Sequence, residues 1–261
     1  MIRKPITVDF EKYPDVLLPY FNGADTYDSS CSPFAKVVFI DKNEGFYLKM
    51  AEKGTLKREA DMISFFASKG LSKNVVEYIS ADRDYMLTER VLGEDCTYYK
   101  YIDEPKRLCD TIAVLLRQLH ETDFSGCPIQ NHTKLYFDTV DENYKAGVFD
   151  SSYIDESLKR LNADDAYKYL RERKDAFENN VLLHGDYCLP NIMLDDFKFS
   201  GFIDVGNGGV GDRHIDLFWG AWTLNFNLKT DIYRERFFDA YGRDKVDNEK
   251  IRLVSVIECF G

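Results

Sequence analysis

At 261 residues the chain can form one large domain or two small lobes, and 44% hydrophobic with 15% aromatic residues is enough to build a core. A net charge of −11 and a pI near 4.9 argue against a nucleic-acid backbone as the main partner, since a polyanion is held by clustered lysine and arginine. The charge suits a cationic small molecule, and equally suits plain solubility. The opening MIRKPITVDFEKYP lacks the apolar stretch of a signal peptide, and no window approaches the ~18 apolar residues of a membrane span. Cysteines 31, 96, 109, 127, 188 and 259 form no CxxC pair. Neither a disulfide framework nor a zinc site is expected, and a cytoplasmic location without a membrane partner fits best.

In chain order, AKVVFI (35–40) and GFYLKM (45–50) read as strands joined by the turn DKNE, and DYMLTERV (84–91) reads as a third. Between them TLKREADMISFFASKG (55–70) reads as a helix, with Thr55 as cap and Gly70 as stop. Beyond residue 90 the texture turns helical. EPKRLCDTIAVLLRQLH starts on Pro105 and carries Leu108, Ile112, Leu115, Leu116 and Leu119 on one stripe, with His120 placed to cap its end. Helices are expected near 164–178, 212–226, 230–241 and 247–260, with short apolar runs at 181–183, 192–194 and 199–203. The boundary falls at residue 90, giving a β-rich lobe (1–90) with one helix and a larger, mainly helical lobe (91–261). The fold class is α+β.

The informative stretch is LLHGDYCLPNIML (182–194). If VLL and IML pair as strands, Asp186 and Asn191 lie on one connecting loop. Asp204 follows at the end of GFIDVG. Two carboxylates and a carboxamide are hard oxygen donors suited to Mg²⁺ rather than zinc. Phosphoryl transfer needs such a set: the metal neutralises the phosphates and one carboxylate orients the attacking hydroxyl. On the β-rich lobe, Lys49 ends an alternating strand and shares a face with Tyr47. Glu59, ten residues later, is placed to pair with it. The small-residue turn SSCSPFAK (29–36) could lie over a triphosphate.

These pieces together resemble the aminoglycoside phosphotransferase family, nearest the 3′-type. The resemblance rests on SPFAKV, YLKM, READM, LRQLHETDFSGCP, HGDxxxxN (184–191), SGFIDVG, DRHID and the ending ECF, spanning residues 32–260. It implies a two-lobed protein-kinase-like fold and transfer of the γ-phosphoryl group of ATP or GTP to a hydroxyl, the 3′-hydroxyl, of a cationic aminoglycoside. By motif, Asp186 is the base or hydroxyl-orienting group, and Asn191 and Asp204 hold Mg²⁺. Lys49, paired with Glu59, meets the phosphates beneath a loop containing Ser32. Backbone groups near Glu89–Val91 carry the adenine. The acceptor falls to Glu258 and Phe260, and to Asp155 and Glu156 in a segment (138–165) that holds eight acidic residues against Lys145, Lys159 and Arg160. A monomer or weak dimer is expected.

Three departures stand out: Asn207 replaces the family's arginine after the FIDxG glycine, Phe34 lengthens the phosphate loop, and Gly261 follows the usual terminal phenylalanine. His184, Asp212 and Asp216 read as structural supports, and the aromatic residues of DLFWGAWTLNF (216–226) as core. Two other functions fit the same residues: a kinase of another small alcohol, choline-, homoserine- or sugar-like, and a weakly active nucleotide-binding regulator.

Overall fold

The computed structural model describes residues 4–9, 12–31 and 33–261. The first part of the chain runs β1 (Lys4–Pro5), α1 (Leu18–Phe21), β2 (Asp25–Asp28), β3 (Ala35–Asp41), β4 (Phe46–Ala51), α2 (Lys57–Ser68), β5 (Val75–Ser80), β6 (Asp84–Glu89) and β7 (Glu94–Asp95). Then come α3 (Tyr99–Ile102), α4 (Pro105–His120), α5 (His132–Lys145), α6 (Ala163–Arg171), β8 (Val181–Leu183), β9 (Ile192–Asp195), β10 (Lys198–Phe202), β11 (Gly209–Gly211), α7 (His214–Leu228), α8 (Arg234–Gly242) and α9 (Asn248–Ile257). The chain divides into two compact units: residues 1–96 with 190–206, and residues 97–189 with 207–261. Among the described residues no helix is long and apolar enough to cross a membrane.

The first unit is built on an antiparallel sheet of order β1-β2-β3-β4-β6-β5. The expected hairpin is present, with Val38 opposite Leu48 and Val37 opposite Lys49. Its turn needs left-handed backbone, supplied by Asn43 (φ 56°) and Gly45 (φ 100°). Alternation along β4 sends Leu48 and Met50 into a core with Val38, Ile40, Tyr85 and Leu87. Each such side chain contributes roughly 1.5–3 kcal/mol of burial. Tyr47 and Lys49 are left on the other face. The helix start differs from expectation. α2 begins at Lys57 after Leu56 with no side-chain cap, because Thr55 Oγ1 donates instead to the Glu52 carbonyl at 2.7 Å.

A second, three-stranded sheet of order β10-β9-β7 completes this unit. The expected pairing of VLL with IML does not occur. IML, in β9, pairs with β10 across a two-residue turn in which Asp196 (φ 47°) and Phe197 (φ 62°) are both left-handed. VLL, in β8, pairs with β11 in the second unit.

In the second unit α4 buries Leu108, Ile112, Leu116 and Leu119 as the stripe requires, and packs on α7 and α8. Helix α6 stops at Arg171, short of the expected 178, and α9 gives way to a 3-10 turn over Glu258–Phe260. Helix α5 had no counterpart in the sequence reading. It buries only His132, Phe137 and Val140, and an Asn131 side chain caps it.

Candidate active site

In the first unit Lys49 rises from β4 into a ring of acid. Its Nζ lies 2.8 Å from both carboxylate oxygens of Glu59 and 3.3 Å from Asp204 Oδ1. Burial opposes the ammonium charge, but the charges of Asp204 and Glu59 outweigh it, and the Lys49 pKa lies above its ordinary value. Burial likewise raises the Glu59 pKa, with Lys49 pulling the other way. Gly206, in the 3-10 turn Val205–Asn207, makes the close approach of that turn to α2 possible: a Cβ there would sit 3.1 Å from Glu59 Cβ and Cγ. Asp204 takes left-handed backbone (φ 55°), which turns its carboxylate out, leaving that side chain 57% exposed.

Asn191 closes the 3-10 turn Leu189–Asn191. Its carbonyl accepts the Ile203 N–H at 3.0 Å, so the residues proposed as oxygen donors, Asn191 and Asp204, stand on adjoining segments of the same unit. Among the described residues no group of three or more His, Cys, Asp and Glu gathers as a metal cage. A cavity of about 410 Å³ opens beside this cluster, lined by Lys49, Glu59, Met86, Glu89, Val91 and Asp204. The Glu89 N–H is donated to Asn74 and the Arg90 N–H to Gly45. Ser32 lies outside the described residues.

In the second unit the loop carrying Asp186 is held from below. The buried Asp216 carboxylate accepts the His184 N–H and the Gly185 N–H, each at 2.8 Å. It also meets His120 Nε2 at 3.2 Å. Burial disfavours its charge, but these hydrogen bonds and the charges of His120 and His184 win, and the Asp216 pKa falls below its usual range. His120 therefore does not cap α4; its ring bridges Asp216 and the Tyr241 hydroxyl, 2.8 Å away. The His184 ring accepts the Asp186 N–H at 3.3 Å. Gly185 is left-handed (φ 83°), and a Cβ on it would lie 2.0 Å from the Asn207 carbonyl oxygen. Tyr187 donates to the Ile112 carbonyl at 2.7 Å, and the Leu189 N–H to Thr223 Oγ1 at 3.1 Å. Asp186 thus sits half-buried on a loop pinned at both ends. Asp212 is structural, binding Lys250 at 2.9 Å and the backbone of Glu178 and His214 at 3.0 Å.

The expected acceptor residues separate. Glu258 is nearly buried, at 7% exposure. It accepts from the Tyr136 hydroxyl and, at 3.0 Å, from Trp219 Nε1. Burial pushes its pKa up to about 7, with the two hydrogen bonds opposing and the Asp186 charge adding to the rise. Phe260 is fully enclosed, its ring packed on Phe149 at 5.2 Å and Tyr144 at 6.2 Å. Asp155 caps the 3-10 turn Glu156–Leu158, accepting from Ser157 N and Oγ. Glu156 is exposed and paired with Lys159. Tyr136 and Trp219 escaped the sequence reading. The only signal was a tryptophan within an otherwise apolar helix, which reads as core.

The model of the phosphotransferase enzyme family matches residues 34–253. The chain belongs to that family, and it is an enzyme that transfers phosphate. It is 47% identical to a probable aminoglycoside 3′-phosphotransferase of Lactococcus lactis subsp. lactis (strain IL1403) over 99% of this chain and 98% of that one. It is 30% identical to an aminoglycoside 3′-phosphotransferase of Staphylococcus aureus over 86% and 88%. Among solved structures, an aminoglycoside-3′-phosphotransferase of type VIII superposes with a TM-score of 0.75 at 23% identity, covering 99% of this chain and 94% of that one. The fold is the α+β, kinase-like fold of these enzymes.

Proposed function

We propose that this phosphotransferase passes the γ-phosphoryl group of ATP, or of GTP, to the 3′-hydroxyl of an aminoglycoside antibiotic in the cytoplasm, and so confers resistance. The observation that carries the transfer is Lys49 held between Glu59 and Asp204 on the wall of a cavity. Its volume lies in the range of small-ligand sites, on the order of 300–1,000 Å³. The acceptor class is supported by near-whole-length similarity to a relative of that name.

In this reading the adenine enters between β4 and the segment after β6. The N–H groups of Glu89 and Arg90 are already donated, so the Val91 N–H is the donor offered to the base. Lys49 meets the phosphate oxygens, and Glu59 keeps its ammonium aimed. Asp204 and Asn191 fit a magnesium ion: both are hard oxygen donors, and Asp204 turns only Oδ1 toward Lys49. When bound there, the ion neutralises phosphate charge. Asp186 accepts a hydrogen bond from the acceptor hydroxyl and takes its proton as the oxygen attacks the γ-phosphorus and the bond to the β-phosphate breaks. Glu258 takes an ammonium of the acceptor, its carboxylate positioned by Tyr136 and Trp219, while Phe260 anchors the same 3-10 turn in the core.

The test is mass spectrometry of kanamycin and neomycin after incubation with the enzyme, ATP or GTP, and Mg²⁺. A gain of one phosphate group is expected. Steady nucleotide turnover with other alcohols and none with any aminoglycoside overturns the acceptor assignment.

A further inference from the structure

Glu258 is finished on one side only. Both donors, the Tyr136 hydroxyl and Trp219 Nε1, converge on Oε1, and Oε2 receives neither. The tryptophan that supplies one donor also begins a run of rings. Trp219 meets Tyr153 edge-on at 5.7 Å and Trp222 edge-on at 5.3 Å. Trp222 stacks on Phe226 at 4.9 Å with an interplanar angle of 12°. Tyr153 also meets Trp222, at 6.0 Å. Tyr153, Trp219 and Trp222 therefore form one wall beside Glu258, joined to it through Trp219 Nε1.

These rings are not simply core, as the sequence reading had it. Leu217 and Leu224 of the same helix are enclosed, and Phe218 nearly so. Trp219, Trp222 and Tyr153 are half-buried, and Phe226 is 55% exposed. One partly exposed ring would be ordinary, but these four touch one another in series and form a contiguous apolar surface. The combination of an apolar wall and one open carboxylate oxygen selects its ligand. A flat neutral aromatic would use the wall and leave the carboxylate without a cation. A linear polyamine would use the carboxylate and leave the wall bare. A pyranose ring bearing an ammonium group uses both, its C–H face on the rings and its charge at Oε2.

We propose that Tyr153, Trp219 and Trp222 form a specificity wall beside Glu258 that receives an amino-sugar ring of the acceptor, with the ammonium at Glu258 Oε2 and Trp219 acting both as wall and as the donor that positions the carboxylate. The inference rests on the aminoglycoside reading above and adds the residues that recognise the ring.

The experiment is calorimetric titration of the purified enzyme with kanamycin A, alongside the KM for ATP. Trp222→Ala, which leaves both hydrogen bonds to Glu258 in place, should weaken kanamycin binding roughly tenfold with the KM for ATP unchanged, and Trp222→Phe should restore most of the loss. Should Trp222→Ala fail to fold, Trp222→Leu is read instead and should still bind at least fivefold more weakly. Kanamycin binding within twofold of wild type in the folded variant overturns the wall. A wild-type enzyme that neither binds nor phosphorylates any aminoglycoside is a different result: it removes the acceptor reading, and the wall falls with it.

Discussion

The Asp216 bracket and the Lys49–Glu59–Asp204 cluster are both carboxylates meeting donors, and they are completed to different degrees. Asp216 has no exposed surface, and each of its oxygens accepts a backbone N–H beneath the Asp186 loop. Asp204 is 57% exposed and turns one oxygen to Lys49. A buried carboxylate whose oxygens are all used belongs to the frame, because removing it strands donors that have no water to turn to. An exposed carboxylate with an oxygen to spare can take a ligand. The contrast says that the Asp186 loop is braced from within the second unit, whereas the Lys49–Glu59–Asp204 cluster leaves room for a ligand, which in the function proposed above is the nucleotide.

Substitutions sharpen this contrast. The largest effect expected is on turnover. Asp186→Ala should lower kcat by about 10²–10⁴-fold, the usual worth of a positioned proton acceptor, while ATP affinity by titration and the thermal midpoint stay near wild type. Asp216→Ala should do the reverse in kind, costing about 3–5 kcal/mol in urea unfolding as two buried N–H groups and His120 lose their partner. A stable Asp216→Ala enzyme would break the comparison. Lys49→Ala should raise the KM for ATP by roughly tenfold or more and also cost about 1–3 kcal/mol of stability, since it strands the largely buried Glu59 carboxylate.

A subtler effect concerns pH. The groups facing Glu258 are Tyr136, Trp219, Tyr153 and Asp186. Its folded pKa of about 7 lies above the ordinary 4.5, so the fold favours the neutral carboxyl. The stability this contributes is complete below the ordinary value and is lost as pH rises through about 7. An acceptor ammonium favours the carboxylate, so kanamycin affinity should rise between pH 6 and 7.5 in wild type and stay flat over that range in Glu258→Gln. The smallest change expected is in Trp219→Phe. Loss of one donor to Oε1 should move the midpoint of that rise upward, by titration calorimetry across the same range.

The β3–β4 hairpin, the α4 stripe and the Lys49–Glu59 pair were legible because each is local: alternation, a 3.6-residue period and a strand leading directly into a helix. What was not legible joins distant parts of the chain. VLL pairs with Gly209–Gly211 and not with IML, and nothing in three apolar residues says which partner completes them. Tyr136 reaches Glu258 across 122 positions. α5 lacks an apolar stripe wide enough to announce a helix. Thr55 carries a capping residue's hydroxyl but spends it one turn early on Glu52. His120 looked terminal because it ends α4, whereas its two ring nitrogens face groups from elsewhere in the second unit.

The division of the chain also bears on its synthesis. The first unit needs residues 190–206, which bring β9, β10 and Asp204. Leaving the ribosome from the N-terminus, the six-stranded sheet has all its strands early, whereas β7 waits through nearly a hundred further residues for its partners β9 and β10 in the second sheet. During that wait the face that will receive them is open, and the nascent chain is exposed to aggregation as any late-completed sheet is. For the same reason residues 1–96 expressed alone would lack Asp204 and the strands beside it. A split version of this enzyme therefore has to be cut inside the second unit, after residue 206, for one fragment to carry the whole Lys49–Glu59–Asp204 cluster.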